Sequence, residues 1–142
     1  MDHINKESRI MGIDYGEVRI GIALSDPMFT FAYPFITLKN DFSFLNNLSK
    51  IISEKKVIKI ILGLPSSRFK SSKELAQKVL KLKTDIEIKS KIEVVLWDEE
   101  YSSAIAKEKI VESVTKKSVR RMKGLLDRHS AAVILQEFLD TN

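Results

Sequence analysis

The sequence predicts an α/β domain on a five-stranded mixed sheet with helices on both faces. Two observations carry this. Residues 9–39 hold three short apolar runs separated by turn-sized gaps, the pattern of an antiparallel meander. From residue 41 onward, segments of helical spacing alternate with apolar runs, the pattern of βαβ crossovers.

RIMGID (9–14) reads as the first strand and RIGIALS (19–25) as the second, joined by the turn Tyr15–Val18. FAYPFITLK (31–39) reads as the third, where Pro34 suits an edge because it cannot donate to a ladder. In DFSFLNNLSKIISEKK, residues Phe44, Leu45, Leu48, Ile51 and Ile52 fall on one helical face, with Asp41 expected at the N-cap. VIKIILGLP (57–65) is a continuous apolar run, as a strand buried on both faces requires. Residues 72–83 form a second helix with Leu75, Val79 and Leu82 on one side. IEVVLWDEE (92–100) is the fifth strand, and it ends in acids. Residues 102–114 form a third helix with Ala106, Ile110 and Val114 aligned, and LLDRHSAAVILQEFLD (125–140) forms the last. The N-terminal tail, Ser66–Ser72 and Thr115–Lys123 read as irregular, mobile pieces, with Gly124 giving the chain freedom before the last helix.

A chain of 142 residues, 44% of them hydrophobic, suits one compact domain spanning 1–142. The absence of cysteine excludes disulfides and thiolate metal sites. No apolar run approaches the roughly 18 residues of a membrane span, and MDHINKESR lacks the apolar core of a signal peptide. The expectation is a cytoplasmic protein without a membrane partner. The net charge of +5 is compatible with a polyanionic partner, although a lysine-rich solvated surface carries the same charge.

Three carboxylates stand out. Asp14 ends the first strand, and Asp98, Glu99 and Glu100 end the fifth. Ligands of parallel α/β sheets gather beyond the carboxyl ends of strands. Asp127 shares a helical face with Ala131, Ile134 and Phe138, where an unpaired charge is costly; it is expected in the first helical turn, where the helix dipole favours an anion. Each acid alone has a plain reading, as a turn cap, a solvated strand end or an N-cap. Together they converge on one edge, and clustered carboxylates are relieved by a hard cation such as Mg²⁺. Two such ions can activate a water and stabilise the leaving oxygen of a phosphodiester. Lys116, Lys117, Arg120, Arg121 and Lys123 precede Asp127 and could hold a phosphate backbone, or form a solvated loop. Arg19 could touch a phosphate, or pair with Glu17 or Asp26. Tyr15, Tyr101 and Trp97 flank the acids as stacking candidates, with Trp97 also read as core. His3 and His129 receive no metal role.

On these residues the chain resembles the YqgF family, also called RuvX, of the ribonuclease H-like superfamily. GIDYGEVRIGIALSD (12–26) is similar to that family's opening motif, LGLP (62–65) to its second block, WDEEYSS (97–103) to its third, and LLDRHSAAVILQEFLD to its closing helix. The resemblance runs from about Arg9 to Asp140. It implies a ribonuclease H-like fold and a Mg²⁺- or Mn²⁺-dependent endonuclease. The family's acidic positions fall on Asp14, Glu99 and Asp127, and Asp98 could assist from behind. The implied substrate is pre-16S rRNA, whose 5′ end members mature in ribosome biogenesis, with the ribosomal particle as a further partner. An older reading makes the family Holliday junction resolvases, which cut symmetrically and so require a dimer; the sequence leaves monomer and homodimer open. A binding module without catalysis is a further alternative. An actin-like phosphotransferase would need a second domain that 142 residues do not supply. Two departures bear on substrate handling: Glu100 stands where the family usually has arginine, and SSRFKSS follows GLP in place of a longer Asn- and Gly-containing loop.

Overall fold

The computed structural model describes residues 7–65, 72–99 and 116–141, with Pro65, Ser72, Glu99 and 116–123 described by backbone alone. The helix expected at 102–114, Tyr101, Glu100 and most of the loop after Pro65 lie outside the described residues.

Three strands open the chain: β1 (Arg9–Asp14), β2 (Arg19–Ser25) and β3 (Ala32–Lys39). Helix α1 (Phe44–Glu54), β4 (Val57–Pro65), α2 (Ser72–Ser90), β5 (Val94–Glu99) and α3 (Lys116–Asp140) complete the described elements. The sheet has five strands in the order β3-β2-β1-β4-β5. β2 runs antiparallel to both β1 and β3, and β1, β4 and β5 are mutually parallel. This is the mixed sheet the pattern predicts, and it brings the carboxyl ends of β1, β4 and β5 to one edge.

Pleat alternation divides the core in two. Met11, Ile13, Ile60 and Leu62 face α1 and α2, where Leu48, Ile52, Val79, Leu82 and Ile86 meet them. Ile10, Ala23 and Ile61 face α3 and meet Ala131, Ile134 and Leu135. Helices therefore cover both faces. No described helix is long and apolar enough to cross a membrane.

Several local readings change. Asp41 does not cap α1. Its Oδ1 accepts from Ser43 N at 2.9 Å and from Ser43 Oγ at 2.6 Å, closing a turn ahead of the helix, and Ser43 takes the N-cap position. A short acid bonds its own neighbouring backbone as readily as a helix end. Helix α2 runs to Ser90 instead of residue 83, because Ile86, 1% exposed, extends the stripe of Val79 and Leu82 by one turn. Helix α3 begins at Lys116, not at Leu125. Lys, Arg and Met are good helix formers, and an interior glycine costs only about 1 kcal/mol. Gly124 is thus an interior helical residue and no hinge: among the described glycines none has positive φ. Its carbonyl accepts from the Thr37 hydroxyl on β3 and from Arg128 Nε at 3.3 Å.

Candidate active site at the carboxyl ends of the strands

Asp14 is the last residue of β1 and is 3% exposed. It has the pleat parity of Ile10 and Gly12, so it belongs to the face that α3 covers. Across the antiparallel ladder it stands opposite Gly21 of β2. Gly21 in turn carries the backbone of α3: a Cβ there would lie 2.0 Å from the Asp127 carbonyl oxygen and 2.7 Å from Arg128 N. Gly12, nine residues earlier on the neighbouring strand, meets Ala131 O and Leu135 Cβ at 2.7 Å in the same way. Two glycines and a helix with alanines at 131 and 132 let the backbones approach without side chains between them. The approach seats the Asp127 peptide on the very residue that pairs with Asp14.

Asp127 lies mid-helix, eleven residues after the start of α3, so the dipole of a first turn does not act on it. Its charge is answered by Arg19, whose Nε donates to Asp127 Oδ2 at 3.0 Å. The two side chains are 35% and 19% exposed, a half-buried pair at the rim of the sheet. Arg19 therefore takes neither of the carboxylates its sequence neighbourhood suggests. Glu17 pairs with Lys78 at 2.7 Å. Asp26 accepts the N–H groups of Met28, Thr30 and Phe31 at 3.3, 2.7 and 2.8 Å. Partial burial raises the Asp26 carboxyl's pKa, but these donors outweigh it and hold the group below its ordinary value.

Glu99 ends β5 opposite Pro65 of β4, three positions beyond Leu62, which stands opposite Ile13. Its backbone is two strands away from Asp14, about 10 Å across the sheet, and shares the pleat parity of Val95 and Trp97. Asp98 has the other parity and is exposed. Trp97 packs edge-on against Phe138 of α3, with ring centroids 5.6 Å apart, which makes it part of the core. Among the described residues, no group of three His, Cys, Asp or Glu stands ready for a metal ion; the Glu99 side chain is outside that description. The donors that are described, Asp14 and Asp127, are all-oxygen, the kind that Mg²⁺ and Mn²⁺ prefer.

Helix α3 carries the basic stretch. From Asp127 back to Lys116 it extends by about 16 Å at 1.5 Å per residue. Its later turns lie over Gly12 and, through Gln136 Oε1, receive Ala32 N at 2.8 Å near the far end of the sheet. The turns bearing Lys116, Lys117, Arg120, Arg121 and Lys123 thus reach past the carboxyl ends of the strands, on regular helix and not on a loop.

Gly16, in the turn after Asp14, also has a negative φ. It is needed for closeness: a Cβ would lie 2.2 Å from Arg19 O. Sequence reasoning passed over three features that shape this site, namely Gly12, Gly21 and the Arg19–Asp127 pair. The last joins residues 108 positions apart and leaves no local trace. The glycines leave one, since both sit at otherwise apolar strand positions that call for a large side chain.

Comparison with known proteins agrees with this architecture. A family model described as "RuvX: Holliday junction resolvase" matches residues 8–141. A protein of Desulforamulus reducens named "Putative pre-16S rRNA nuclease" is 33% identical over 135 residues, covering 94% of this chain and 97% of its own. One of the same name from Endomicrobium trichonymphae is 40% identical over 136 residues, covering 94% and 96%. Among solved structures, Thermus thermophilus RuvC in complex with a Holliday junction superposes with a TM-score of 0.55 at 12% identity, over 94% of each chain. Fowlpox virus resolvase bound to junction DNA superposes with a TM-score of 0.50 at 15% identity, covering 94% of this chain and 97% of its own. At such identities the likeness is one of fold, the ribonuclease H-like fold.

Proposed function

Because the chain belongs to the RuvX (YqgF) family, we propose that it is a divalent-metal-dependent endonuclease that hydrolyses RNA phosphodiesters in 5′-end maturation of pre-16S rRNA. One observation carries the reading: a buried aspartate at the tip of β1 pairs across the ladder with a glycine on which α3 seats the backbone of a second aspartate. A carboxylate buried at a strand tip, with a helix seating a second aspartate over its ladder partner, is an arrangement in which a hard divalent cation can be held.

In this reading Asp14 and Asp127, joined by Glu99 from β5, hold Mg²⁺ or Mn²⁺. The bound cation supplies Lewis acidity toward the phosphate and a lowered pKa for a bound water. The chain's own residues do the positioning. The sheet fixes Asp14, because its backbone is locked in the ladder on both sides of Ile13. Arg19 holds the Asp127 carboxylate by Nε. A guanidinium has five N–H donors in a planar fork, so the same side chain can serve this carboxylate and a substrate phosphate together. Lys116, Lys117, Arg120, Arg121 and Lys123, on the overhang of α3, neutralise the strand's backbone as it approaches.

The family description and the shared fold with RuvC favour a second reading, cleavage of four-way DNA junctions. It requires a symmetric dimer to place two cuts. Both readings are tested by incubating a pre-16S rRNA 5′ fragment and a four-way junction with Mg²⁺ or Mn²⁺, using the natural chain and Asp14→Asn. Metal-dependent RNA cleavage that Asp14→Asn abolishes is the expected result. Cleavage of the junction alone would replace the RNA reading, and no cleavage of either by the natural chain would end the enzyme reading.

A further inference from the structure

Asp14 and Tyr15 are consecutive at the tip of β1, so they project to opposite faces of the sheet. Asp14 lies toward α3, whereas Tyr15 packs against the core under α1 and α2. There Tyr15 lines a pocket of about 230 Å³ with Asn40, Lys78, Lys81, Leu82 and Asp85. This is below the roughly 300–1,000 Å³ of a drug-sized site and is scaled to a nucleobase, with sugar and phosphates at its mouth. Its lining residue Tyr15 directly follows Asp14 in the chain, on the opposite face of the sheet.

Its lining has the composition that single-stranded nucleic acid requires, an aromatic ring beside cations. Lys81 is exposed and takes part in no ion pair among the described residues. Lys78 is held by Glu17, but their side chains are 51% and 62% exposed, and such a pair yields readily to a phosphate. Asn40 Nδ2 donates to Gly16 O at 2.9 Å, which ties the end of β3 to the turn beyond Tyr15 and holds the pocket's mouth. Two residues further on, Phe42 is 99% exposed. A ring so exposed is not held by packing in the core.

We propose that this pocket holds one nucleotide of the single strand whose scissile phosphate lies at Asp14, with Tyr15 against the base and Lys78 and Lys81 on the flanking phosphates. Asp85, on the same wall, can accept from a sugar hydroxyl. The proposal deepens the nuclease reading and rests on it for the position of the scissile phosphate.

The test is binding without cleavage. A fluorescein-labelled 12-nucleotide oligouridylate is titrated with the full chain in EDTA, by anisotropy, across a series of salt concentrations. Each phosphate contact contributes about 0.7 to the slope of log K against log salt for a single strand. Lys78→Ala with Lys81→Ala should therefore lower that slope by about 1.4. Tyr15→Leu, which keeps an apolar packing group, should weaken binding about tenfold, and Tyr15→Phe should restore it. Glu17→Gln frees Lys78 and should tighten binding severalfold. Lys55→Ala with Lys56→Ala, at the opposite end of the sheet, should change neither affinity nor slope. An unchanged slope in the double lysine variant, or equal binding by Tyr15→Leu and Tyr15→Phe, overturns the pocket, as does failure of the natural chain to bind. Pocket-dependent binding in a chain that cleaves nothing would sink the catalytic reading and leave the pocket standing.

Discussion

Substitution of Gly21 by alanine probes the contact on which the candidate site depends. The added methyl would sit 2.0 Å from the Asp127 carbonyl oxygen, 2.2 Å from its carbon and 2.7 Å from Arg128 N. An ordinary contact begins near 3.4 Å, so α3 must move away by about 1.4 Å. No side-chain rotation relieves the clash, because all three atoms are backbone. If α3 lifts as a body, Ala131, Ile134 and Leu135 draw off Ile10, Ala23 and Ile61. A gap of 0.5–1 Å already forfeits about a quarter to a half of the dispersion energy at such contacts. Overpacking of a core costs about 1–3 kcal/mol where side chains can adjust. With rigid backbone on one side, a loss of about 3–5 kcal/mol is expected, a large share of the roughly 5–15 kcal/mol available to a domain. Equilibrium urea unfolding would show it as a midpoint lowered by more than about 1 M. Any chain that still folds should lose about 100-fold in cleavage, because Asp127 would have moved by an ångström relative to Asp14. A loss below about 1 kcal/mol with unchanged cleavage would refute the seating of α3 on Gly21, and with it the juxtaposition of the two aspartates.

Gly124→Ala is the counterpart: its Cβ would meet nothing closer than 3.6 Å, so replacing a helical glycine should stabilise by about 0.5–1 kcal/mol in the same urea assay. Arg19→Ala leaves Asp127 half-buried without its Nε donor; the cost should be about 1–3 kcal/mol, between exposed and buried pairs, and a double-mutant cycle with Asp127→Ala should recover a coupling of about 1–2 kcal/mol. Asp26→Ala removes the acceptor of three exposed backbone N–H groups, which water can partly replace, and should cost about 0.5–1.5 kcal/mol at pH 7. Since the folded-state pKa of Asp26 is lowered, that contribution is complete above the unfolded value of about 3.9 and is lost as pH falls through the folded value. Urea midpoints of the natural chain and Asp26→Ala should therefore converge in acid.

Much of this fold is legible because its signals are local. The bounds of β1, β2 and β4 follow from apolar runs closed by Asp14, Ser25 and Pro65, and these coincide with the strands. The ends of helices were harder to read. Ser90 and Lys116 extend α2 and α3 because a distant surface, or plain propensity, continued what local polarity seemed to stop. Asp41 carried a cap's signature and used it for a turn.

Within the site, the sequence by itself determined that Asp14 ends a strand, that another closes in a run of acids containing Glu99, and that Asp127 lies on an apolar helical face. Those facts depend on periods of two and 3.6 residues, which neighbouring positions encode. Only the tertiary structure decided that Asp127 is seated over the ladder partner of Asp14, and that Arg19 pairs with it in preference to Glu17 or Asp26. That choice was made by how closely a helix can approach two strands. The closeness comes from the missing side chains of Gly12 and Gly21, and what fills that space comes from a helix more than a hundred residues away.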